Sequence, residues 1–454
     1  MPESAISVRV GETANTQLRA AVLGAVLGVA TAAVYLIGSG RVFGYDSAVT
    51  FANFIATPAL LDAFAVHSQQ PTIPLSTIAG NDHVLVSLIS HVIYSVSGST
   101  SEVVYRILPA IAAGGTVGVM AALLSARFGV IAGACAGLYI ASDPLFVENS
   151  RDVRGYSLAA LCAVLATLLV TRALAGWRRW AYGLLLGLAI AAHLFSGLVL
   201  GAHVVWVLTR RPRPELRRLA PAWLIAGVIG LGANASILWL DLTQHGLIPG
   251  RFDPGFPRDL VFYLVGAPVL LTIGLWLSAA ALGLWLVRDE RWVLPSLLTV
   301  AAAVAILWIG LHPAYLYPRF FMFLVPGFAY LVAAAVSRWK LVLAPVVLLG
   351  VAAAAWFQVP GYTADSLALR ESARVVERAN AEGRRACVIH SDEQVLGAYA
   401  KGFFTVTSAD QLASCDLVVV VSWALDLPLR DLAAKQFPRA RALEAEYPAV
   451  VLER

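Results

Sequence analysis

Residues 177–218 read WRRWAYGLLLGLAIAAHLFSGLVLGAHVVWVLTRRPRPELRR. The apolar run 180–209 within this stretch would be about 45 Å long as a single helix, whereas the hydrocarbon core of a bilayer is about 30 Å thick. Arginines flank the run at 177–180 and at 210–218, and basic clusters favour the cytoplasmic side of a membrane. Both clusters share one side only if the run turns near 194–197. The stretch therefore predicts a hairpin of two short helices.

Composition agrees with a membrane protein. The chain has 454 residues, 59% of them hydrophobic and 13% charged, and a mean hydropathy of +0.75. Soluble domains carry about 25% charged residues, so this composition excludes an ordinary cytosolic globule. Apolar runs lie at about 18–38, 103–126, 128–142, 155–175, 180–209, 219–240, 260–287, 292–311, 317–337 and 340–357. With the hairpin they predict about 11 transmembrane helices in a multi-pass protein of a bacterial plasma membrane, N-terminus cytoplasmic and C-terminus outside.

The fold class predicted is an all-α polytopic membrane protein with a small C-terminal α/β domain. We expect a transmembrane domain over 1–357 and an extracytoplasmic domain over 358–454, where charges recur throughout. Short β-rich runs at 386–390 and 416–422 alternate there with helical stretches, EQVLGAYAKG (393–402) and a second near 427–436. The first outer loop, about 39–102, is long, and its apolar stretches at 48–66 and 84–96 predict helices lying along the membrane surface.

The net charge of +5 does not indicate a nucleic acid partner. The arginines stand at the ends of apolar runs, where membrane topology predicts them, and form no basic stripe interleaved with aromatic residues. None of the four cysteines belongs to a CxxC pair. Cys387 lies within one predicted strand and Cys415 just before another. A disulfide between them and two buried free thiols are both open alternatives.

Charged residues of the outer loops are the candidates for chemistry, because charges beside apolar spans are costly and mark functional sites. Asp46 is a candidate general base or the N-cap of a helix beginning at Ser47. Asp152 lies between two arginines, so an ion pair competes with a catalytic role. Arg319 either grips a phosphate or extends its guanidinium to the membrane surface. No cofactor is required by these residues, and a divalent metal ion is left open but not indicated, since no HExxH or paired histidine spacing occurs.

Four motifs resemble one family. They are NDHVLVSLISHVIYSVSGSTSEVVYRILPAI (81–111), ENSRDVRGYSLAALCAVLA (148–166), AAHLFSGLVLGAH (191–203) and YPRFFMFLVPGFAYLVAA (317–334). Together with an Asp just after the first span, they look like the C-type (GT-C) polytopic glycosyltransferases, whose bacterial members are related to protein O-mannosyltransferases and the lipid A aminoarabinose transferase. The resemblance covers roughly residues 30–340.

This resemblance implies a hexosyl- or pentosyltransferase that moves a sugar from a polyprenyl-phosphate donor to an acceptor hydroxyl on the extracytoplasmic face, with inversion. The acceptor would be a glycan, a lipid or a protein, and membrane lipids would surround the chain. Asp46 matches the base, Asp152 a second acidic position, and Arg319 the residue that holds the lipid phosphate. The further substrate-binding residues expected are Asn81, His83, Arg106, Arg151, Arg154, Tyr156, His193 and Tyr317.

Two other functions remain open from the sequence. A flippase or transporter of lipid-linked sugars also needs arginines in the membrane, although transporters usually place polar groups at mid-depth on broken helices. A non-catalytic protein of envelope assembly would use the C-terminal domain as its binding module.

Overall fold

The computed structural model describes residues 3–64, 82–170, 176–210, 214–240, 243, 253–265, 270–288, 290, 293–311, 316–358, 367–389, 392–421, 427–443 and 449–454. The chain forms two compact units. The first unit comprises Met1–Ile37, Arg106–Ala235 and His245–Val359, and the second comprises Gly38–Tyr105, Ser236–Gln244 and Pro360–Arg454. The division into domains at 357 and 358 stays a prediction. The second unit unites residues 38–105 and 236–244 with the C-terminal segment.

The structure is mostly helical. In chain order the helices are α1 (Glu3–Leu36), α2 (Tyr45–Thr50), α3 (Val84–Ser97), α4 (Glu102–Phe128), α5 (Val130–Ser142), α6 (Pro144–Ser150), α7 (Tyr156–Val170), α8 (Trp177–Ala192), α9 (Gly197–Arg210), α10 (Pro214–Ala233), α11 (Ala235–Leu240), α12 (Phe256–Val265), α13 (Leu270–Val287), α14 (Val293–Ala305), α15 (Leu324–Arg338), α16 (Lys340–Gln358), α17 (Leu369–Ala381), α18 (Glu393–Leu396), α19 (Ala409–Leu412) and α20 (Leu427–Gln436). Shorter π-helical segments are Phe51–Ile55 and Ile306–Leu311, and 3-10 turns are Leu60–Ala63, Leu194–Ser196 and Pro318–Phe321.

The hairpin expected at 180–209 is confirmed. The Tyr182 hydroxyl lies 3.2 Å from Nδ1 of His203, although 21 residues of continuous helix would separate the two positions by about 32 Å. Helices α8 and α9 therefore run antiparallel across the turn at 193–196. Nε1 of Trp223 donates to the Tyr182 hydroxyl at 3.1 Å, and the Thr167 hydroxyl lies 3.2 Å from Nε2 of His203. These bonds tie α7 and α10 to the hairpin.

Close helix packing in the first unit depends on glycine. A Cβ atom built at Gly24 of α1 would lie 2.5 Å from the carbonyl oxygen of Gly118 in α4, and one at Gly28 would lie 2.8 Å from that of Gly114. Small residues four apart on both helices thus let the two backbones touch, which is a packing mode typical of membrane helices.

Three helical stretches in the described part of the chain are each long and apolar enough to cross a membrane: Asn15–Leu36, Glu102–Phe128 and Leu216–Ala233. Helices α5 and α6 form a fourth span if taken together, bent by 58° at their junction. These helices support membrane localisation, while the count of about 11 spans and the orientation stay predictions.

A five-stranded mixed sheet forms the C-terminal part of the second unit. Its strands are β1 (Ala386–Ile389), β2 (Phe404–Val406), β3 (Leu417–Val420), β4 (Arg439–Leu443) and β5 (Ala449–Glu453), in the order β2-β1-β3-β5-β4. Strand β1 is parallel to β2 and β3, and β5 is antiparallel to β3 and β4. The partly parallel α/β fold expected from the sequence is present, and Cys387 and Cys415 form a disulfide with their Cα atoms 5.9 Å apart.

The spacing of apolar residues explains which helices and strands of the C-terminal segment can be predicted from the sequence. The buried positions Leu369, Ala373 and Val376 of α17 recur at helical intervals, and all four residues of β3 are buried. Strand β4 gives no such signal, because four of its five residues are exposed. The helix expected from EQVLGAYAKG ends at Leu396, since the chain turns from Gly397 onward.

Candidate active site

The loop between α6 and α7 places two arginines in the first unit. Asp143 caps α6, because its Oδ1 accepts from the Phe146 amide at 3.0 Å, and Pro144 opens the helix. Arg151 follows α6 and donates from Nη2 to the carbonyl of Ile37 at 2.7 Å and from Nε to that of Tyr35 at 3.4 Å. It thereby satisfies carbonyls that the end of α1 leaves unpaired within the helix. Its predicted role in substrate binding stays a prediction beside this structural one.

Arg154, three residues further on, contacts the ring that opens α7. Its guanidinium carbon lies 5.6 Å from the centre of the Tyr156 ring, and Nη2 donates to the Tyr156 hydroxyl at 3.4 Å. Arg154 is 3% exposed. The tyrosine ring in turn lies 4.6 Å from the imidazole of His193. The loop therefore brings a buried cation to the turn of the α8–α9 hairpin.

His193 stands in that turn. Burial, and then the positive charges of Arg154 and Arg319, lower the pKa of His193 to about 3. The imidazole is therefore neutral at physiological pH, and the two arginines supply the charge around it. The rings of Phe195 and Phe320 lie 5.8 Å and 5.5 Å from the imidazole and close its apolar side.

Arg319 lies in the 3-10 turn Pro318–Phe321, which precedes α15. Its guanidinium carbon is 4.6 Å from the centre of the Tyr317 ring, and its side chain is half-buried. Tyr317 is 41% exposed. We call Arg154, Tyr156, His193, Tyr317 and Arg319 the His193 cluster. Two guanidinium groups around a neutral imidazole make it suited to an anion such as a phosphate.

Asp46 belongs to the second unit. Helix α2 begins at Tyr45 and its N-cap is Gly44, so the alternative prediction that Asp46 is an N-cap is wrong. The aspartate is instead half-buried in the first turn of the helix, where a carboxylate is stabilised by the helix dipole. Its carbonyl accepts from the Thr50 hydroxyl at 2.9 Å.

A hydrogen-bonded network holds the chain just before Asp46. The Tyr399 hydroxyl accepts from the Phe43 amide at 2.6 Å and donates to Oε1 of Glu102 at 3.0 Å. Nη2 of Arg370 makes an ion pair with the same Oε1 at 2.7 Å and donates to the carbonyl of Gly40. We call Arg370, Glu102 and Tyr399 the Glu102 network. Residues of the C-terminal segment thus fix the position of the turn from which α2 begins.

The NDH motif is only partly described. His83 and Asp82 are both buried, His83 immediately before α3, and Oδ1 of Asp82 accepts from the Ser87 hydroxyl at 2.8 Å. Asn81 lies outside the described residues. Asp82 is a buried carboxylate that the sequence analysis missed, although the motif contains it.

The predicted site residues therefore fall into two groups. Arg106 is buried (1% exposed), and Asp152 is half-buried. The first unit holds Arg106, Arg151, Asp152, Arg154, Tyr156, His193, Tyr317 and Arg319, and the second holds Asp46 and His83. Of the first group, the His193 cluster is brought together by contact. Sequence reasoning missed Arg370 and Tyr399, which carry no motif and lie some 300 residues from their partners.

Among the described residues, no group of three or more His, Cys, Asp or Glu side chains is placed to hold a metal ion.

Solved structures of membrane glycosyltransferases resemble this chain over most of its length. The apo structure of ArnT, the lipid A aminoarabinose transferase, from Cupriavidus metallidurans matches with a TM-score of 0.58 at 16% identity, over 94% of this chain and 97% of that chain. This chain has the GT-C fold. The structure of ArnT bound to undecaprenyl phosphate shares the GT-C fold with it at a TM-score of 0.59, 16% identity and the same coverage.

Another GT-C structure, the Archaeoglobus fulgidus oligosaccharyltransferase in complex with Zn and sulfate, matches with a TM-score of 0.51 at 14% identity, over 91% of this chain and 69% of that chain. No protein-family model and no curated protein sequence matches the chain. The GT-C fold is therefore recognised through structure, as the sequence motifs predicted.

Proposed function

We propose that the protein is a membrane glycosyltransferase that moves a sugar from a polyprenyl-phosphate donor to an acceptor hydroxyl on the extracytoplasmic face. The observation that carries the proposal is the His193 cluster, a pair of arginines around a neutral imidazole in a chain with the GT-C fold. A structural relative was solved with undecaprenyl phosphate, which supports a lipid phosphate as the ligand of this cluster.

The charge of the cluster fits the leaving group. A polyprenyl-phosphate sugar is a phosphodiester with one negative charge, and transfer releases a phosphate monoester with a charge of about −1.5 to −2. Negative charge therefore develops on the phosphate during the reaction. Arg319 and Arg154 meet that charge with two fixed cations, and such preorganised groups stabilise a transition state more than a ground state.

Asp46 acts as the base in this proposal. Its carboxylate accepts the proton of the acceptor hydroxyl while the acceptor oxygen bonds to the anomeric carbon. The bond from that carbon to the phosphate oxygen breaks at the same time, and its electron pair leaves with the lipid phosphate. A single displacement of this kind inverts the anomeric carbon. Asp152 is the alternative base, since it follows Arg151 in the loop that carries Arg154.

The test is transfer by the purified protein. Radiolabelled polyprenyl-phosphate hexoses and pentoses are supplied with membrane extract, and labelled product is scored. We expect Asp46→Asn to lower turnover by about 10²–10⁴-fold, the usual contribution of a positioned base, with donor binding and folding intact. Asp62→Asn is the matched control, because Asp62 follows in the same segment and its carboxylate accepts from the nearby Ala59 amide at 3.0 Å.

The outcomes separate the functions left open by the sequence. Near wild-type turnover in Asp46→Asn would exclude Asp46 as the base and make Asp152 the better candidate. Movement of labelled donor between leaflets without transfer would identify a transporter, and neither transfer nor movement would leave a binding protein.

A further inference from the structure

A cavity of about 330 Å³ lies within the second unit. One wall is the π-helical segment Phe51–Ile55, which continues α2, and the other walls come from α3, Thr100 and the chain 393–403. The volume is at the lower end of the range for pockets that bind small molecules. All its lining residues belong to the second unit.

The lining of this pocket combines aromatic faces with hydrogen-bonding groups. Phe51, Tyr94 and Phe403 supply the rings, and Glu393 and Lys401 supply the charged groups. Sugars present both an apolar C–H face and a ring of hydroxyls. A site with flat apolar surfaces and a few fixed polar groups therefore matches a saccharide better than it matches an acyl chain or a bare ion.

The polar groups are held in place by the fold. Nδ2 of Asn53 donates to the Val49 carbonyl at 2.9 Å, so its carbonyl oxygen is the atom suited to accept from a ligand in the pocket. Nζ of Lys401 donates to the Gly397 carbonyl at 3.0 Å. Glu393 is 1% exposed, and burial raises the pKa of its carboxyl to about 7. A carboxyl that is partly protonated near neutral pH can both donate to and accept from hydroxyls.

We propose that this pocket binds a saccharide unit of the acceptor, which means that the acceptor is itself a glycan or glycolipid. The inference rests on the proposed transferase function and names its acceptor class. Asp46 precedes Asn53 by seven residues along the same helical run, which is about 10 Å at the usual rise per residue. A sugar in the pocket therefore places a neighbouring residue of the same acceptor, and not the bound sugar itself, within reach of Asp46.

The experiment measures saccharide binding directly. Saturation-transfer NMR is recorded on the full chain in detergent, with methyl glycosides of hexoses and pentoses and a disaccharide glycoside as probes. Ala398 is a small residue that lines the pocket, and Ala398→Trp fills the pocket with an indole ring. Ala434→Trp is the matched control, because Ala434 is exposed on α20 of the same unit. We expect Ala398→Trp to lower the glycoside signal at least tenfold and Ala434→Trp to leave it unchanged.

A second pair of variants protects the test against misfolding. Lys401→Met keeps the apolar part of the side chain but removes the ammonium group from the pocket, and Lys435→Met makes the same change at an exposed position of α20. We expect weaker glycoside binding only in Lys401→Met. The saccharide proposal is overturned if each pocket variant binds glycosides as well as its control variant does. It is also overturned if no glycoside binds to the wild type.

Binding of undecaprenyl phosphate is measured on the same samples. If donor binding and transfer persist but Ala398→Trp does not change the glycoside signal, only the proposal that the pocket binds a saccharide is overturned. Absence of donor binding and transfer in the wild type overturns the proposed function, whatever the glycosides do.

Discussion

Arg370 of the Glu102 network and the arginines of the His193 cluster make different kinds of contact. Arg370 forms an ion pair with the Glu102 carboxylate at 2.7 Å, while Arg154 and Arg319 lie over the rings of Tyr156 and Tyr317. A ring contacts the face of a guanidinium, and hydrogen bonds leave from its edge, so the two kinds of contact do not compete. Arg370 therefore fixes backbone within the fold, whereas the stacked arginines are oriented by the fold in a way that suits an anion.

The largest expected effect concerns the stability of the second unit. The Cys387–Cys415 disulfide closes a loop between residues 28 apart, for which chain entropy predicts a stabilisation of about 3–4 kcal/mol. We expect Cys387→Ala to lower the free energy of unfolding by about that amount without changing donor affinity. Cys162→Ala is the control, since Cys162 is buried but not disulfide-bonded. Chemical denaturation followed by near-UV circular dichroism measures both, and equal losses in the two variants would contradict a role for the bond.

The second prediction exchanges the two kinds of arginine for lysine. Arg319→Lys keeps a charge but loses the planar fork, so affinity for undecaprenyl phosphate should fall at least tenfold, about 1.4 kcal/mol. Arg370→Lys should leave that affinity unchanged. Calorimetric titration of both variants provides the measurement. If both bind the lipid phosphate like the wild type, Arg319 only anchors its helix at the membrane surface.

A smaller effect is expected from the Glu102 network. Glu102→Gln removes the charge that attracts Arg370 but keeps an oxygen for the Tyr399 hydroxyl, so we expect a loss of about 1 kcal/mol in the free energy of unfolding. The Arg370 side chain is 43% exposed, and solvent screening keeps the loss at that level. Glu371→Gln, exposed on α17, is the control and should change the thermal midpoint by less. Equal thermal midpoints for the two variants would show that the ion pair between Arg370 and Glu102 does not stabilise the fold.

The smallest effect is a dependence on pH. The pKa of Glu393 is raised from 4.5 to about 7 by burial, so its contribution to stability is present below about pH 4.5 and is lost as the pH rises through 7. Glu393→Gln should therefore reduce the fall in thermal midpoint between pH 5 and pH 8. Some fall remains, because burial also raises the pKa of the neighbouring Asp392. An unchanged difference between the two pH values in the variant would contradict the assignment to Glu393.

Much of the fold could be predicted because hydrophobic and charge patterns record local structure. The arginine clusters around 180–209 predicted the hairpin that the contact between Tyr182 and His203 confirms, and helix α20 has the bounds expected, 427–436. Strand β4 could not be predicted, since an exposed edge strand buries almost nothing. The link between Tyr399 and Glu102 was equally hidden, because no local pattern identifies partners 297 residues apart.

The site was predictable to a lesser degree. Motif positions indicated Arg154, His193 and Arg319, which the structure brings together, but also Arg151, which binds the end of α1. Arg151 and Arg154 occupy one short loop, so the sequence could not distinguish their roles. Those roles depend on which carbonyl group or aromatic ring lies within reach of each guanidinium. Asp46 shows the same limit, because a helix that begins two residues earlier than expected removes its role as an N-cap.

The hydrogen bond between the Phe43 amide and the Tyr399 hydroxyl has a consequence for biosynthesis. The two residues are 356 positions apart, and a ribosome adds about 5–20 residues per second. The segment that leads into α2 is thus made roughly 20–70 s before the tyrosine that completes its hydrogen bonding. Arg319, the last residue of the His193 cluster, is made 80 residues before Tyr399, so newly made protein completes the arginine cluster before it completes the turn that holds Asp46.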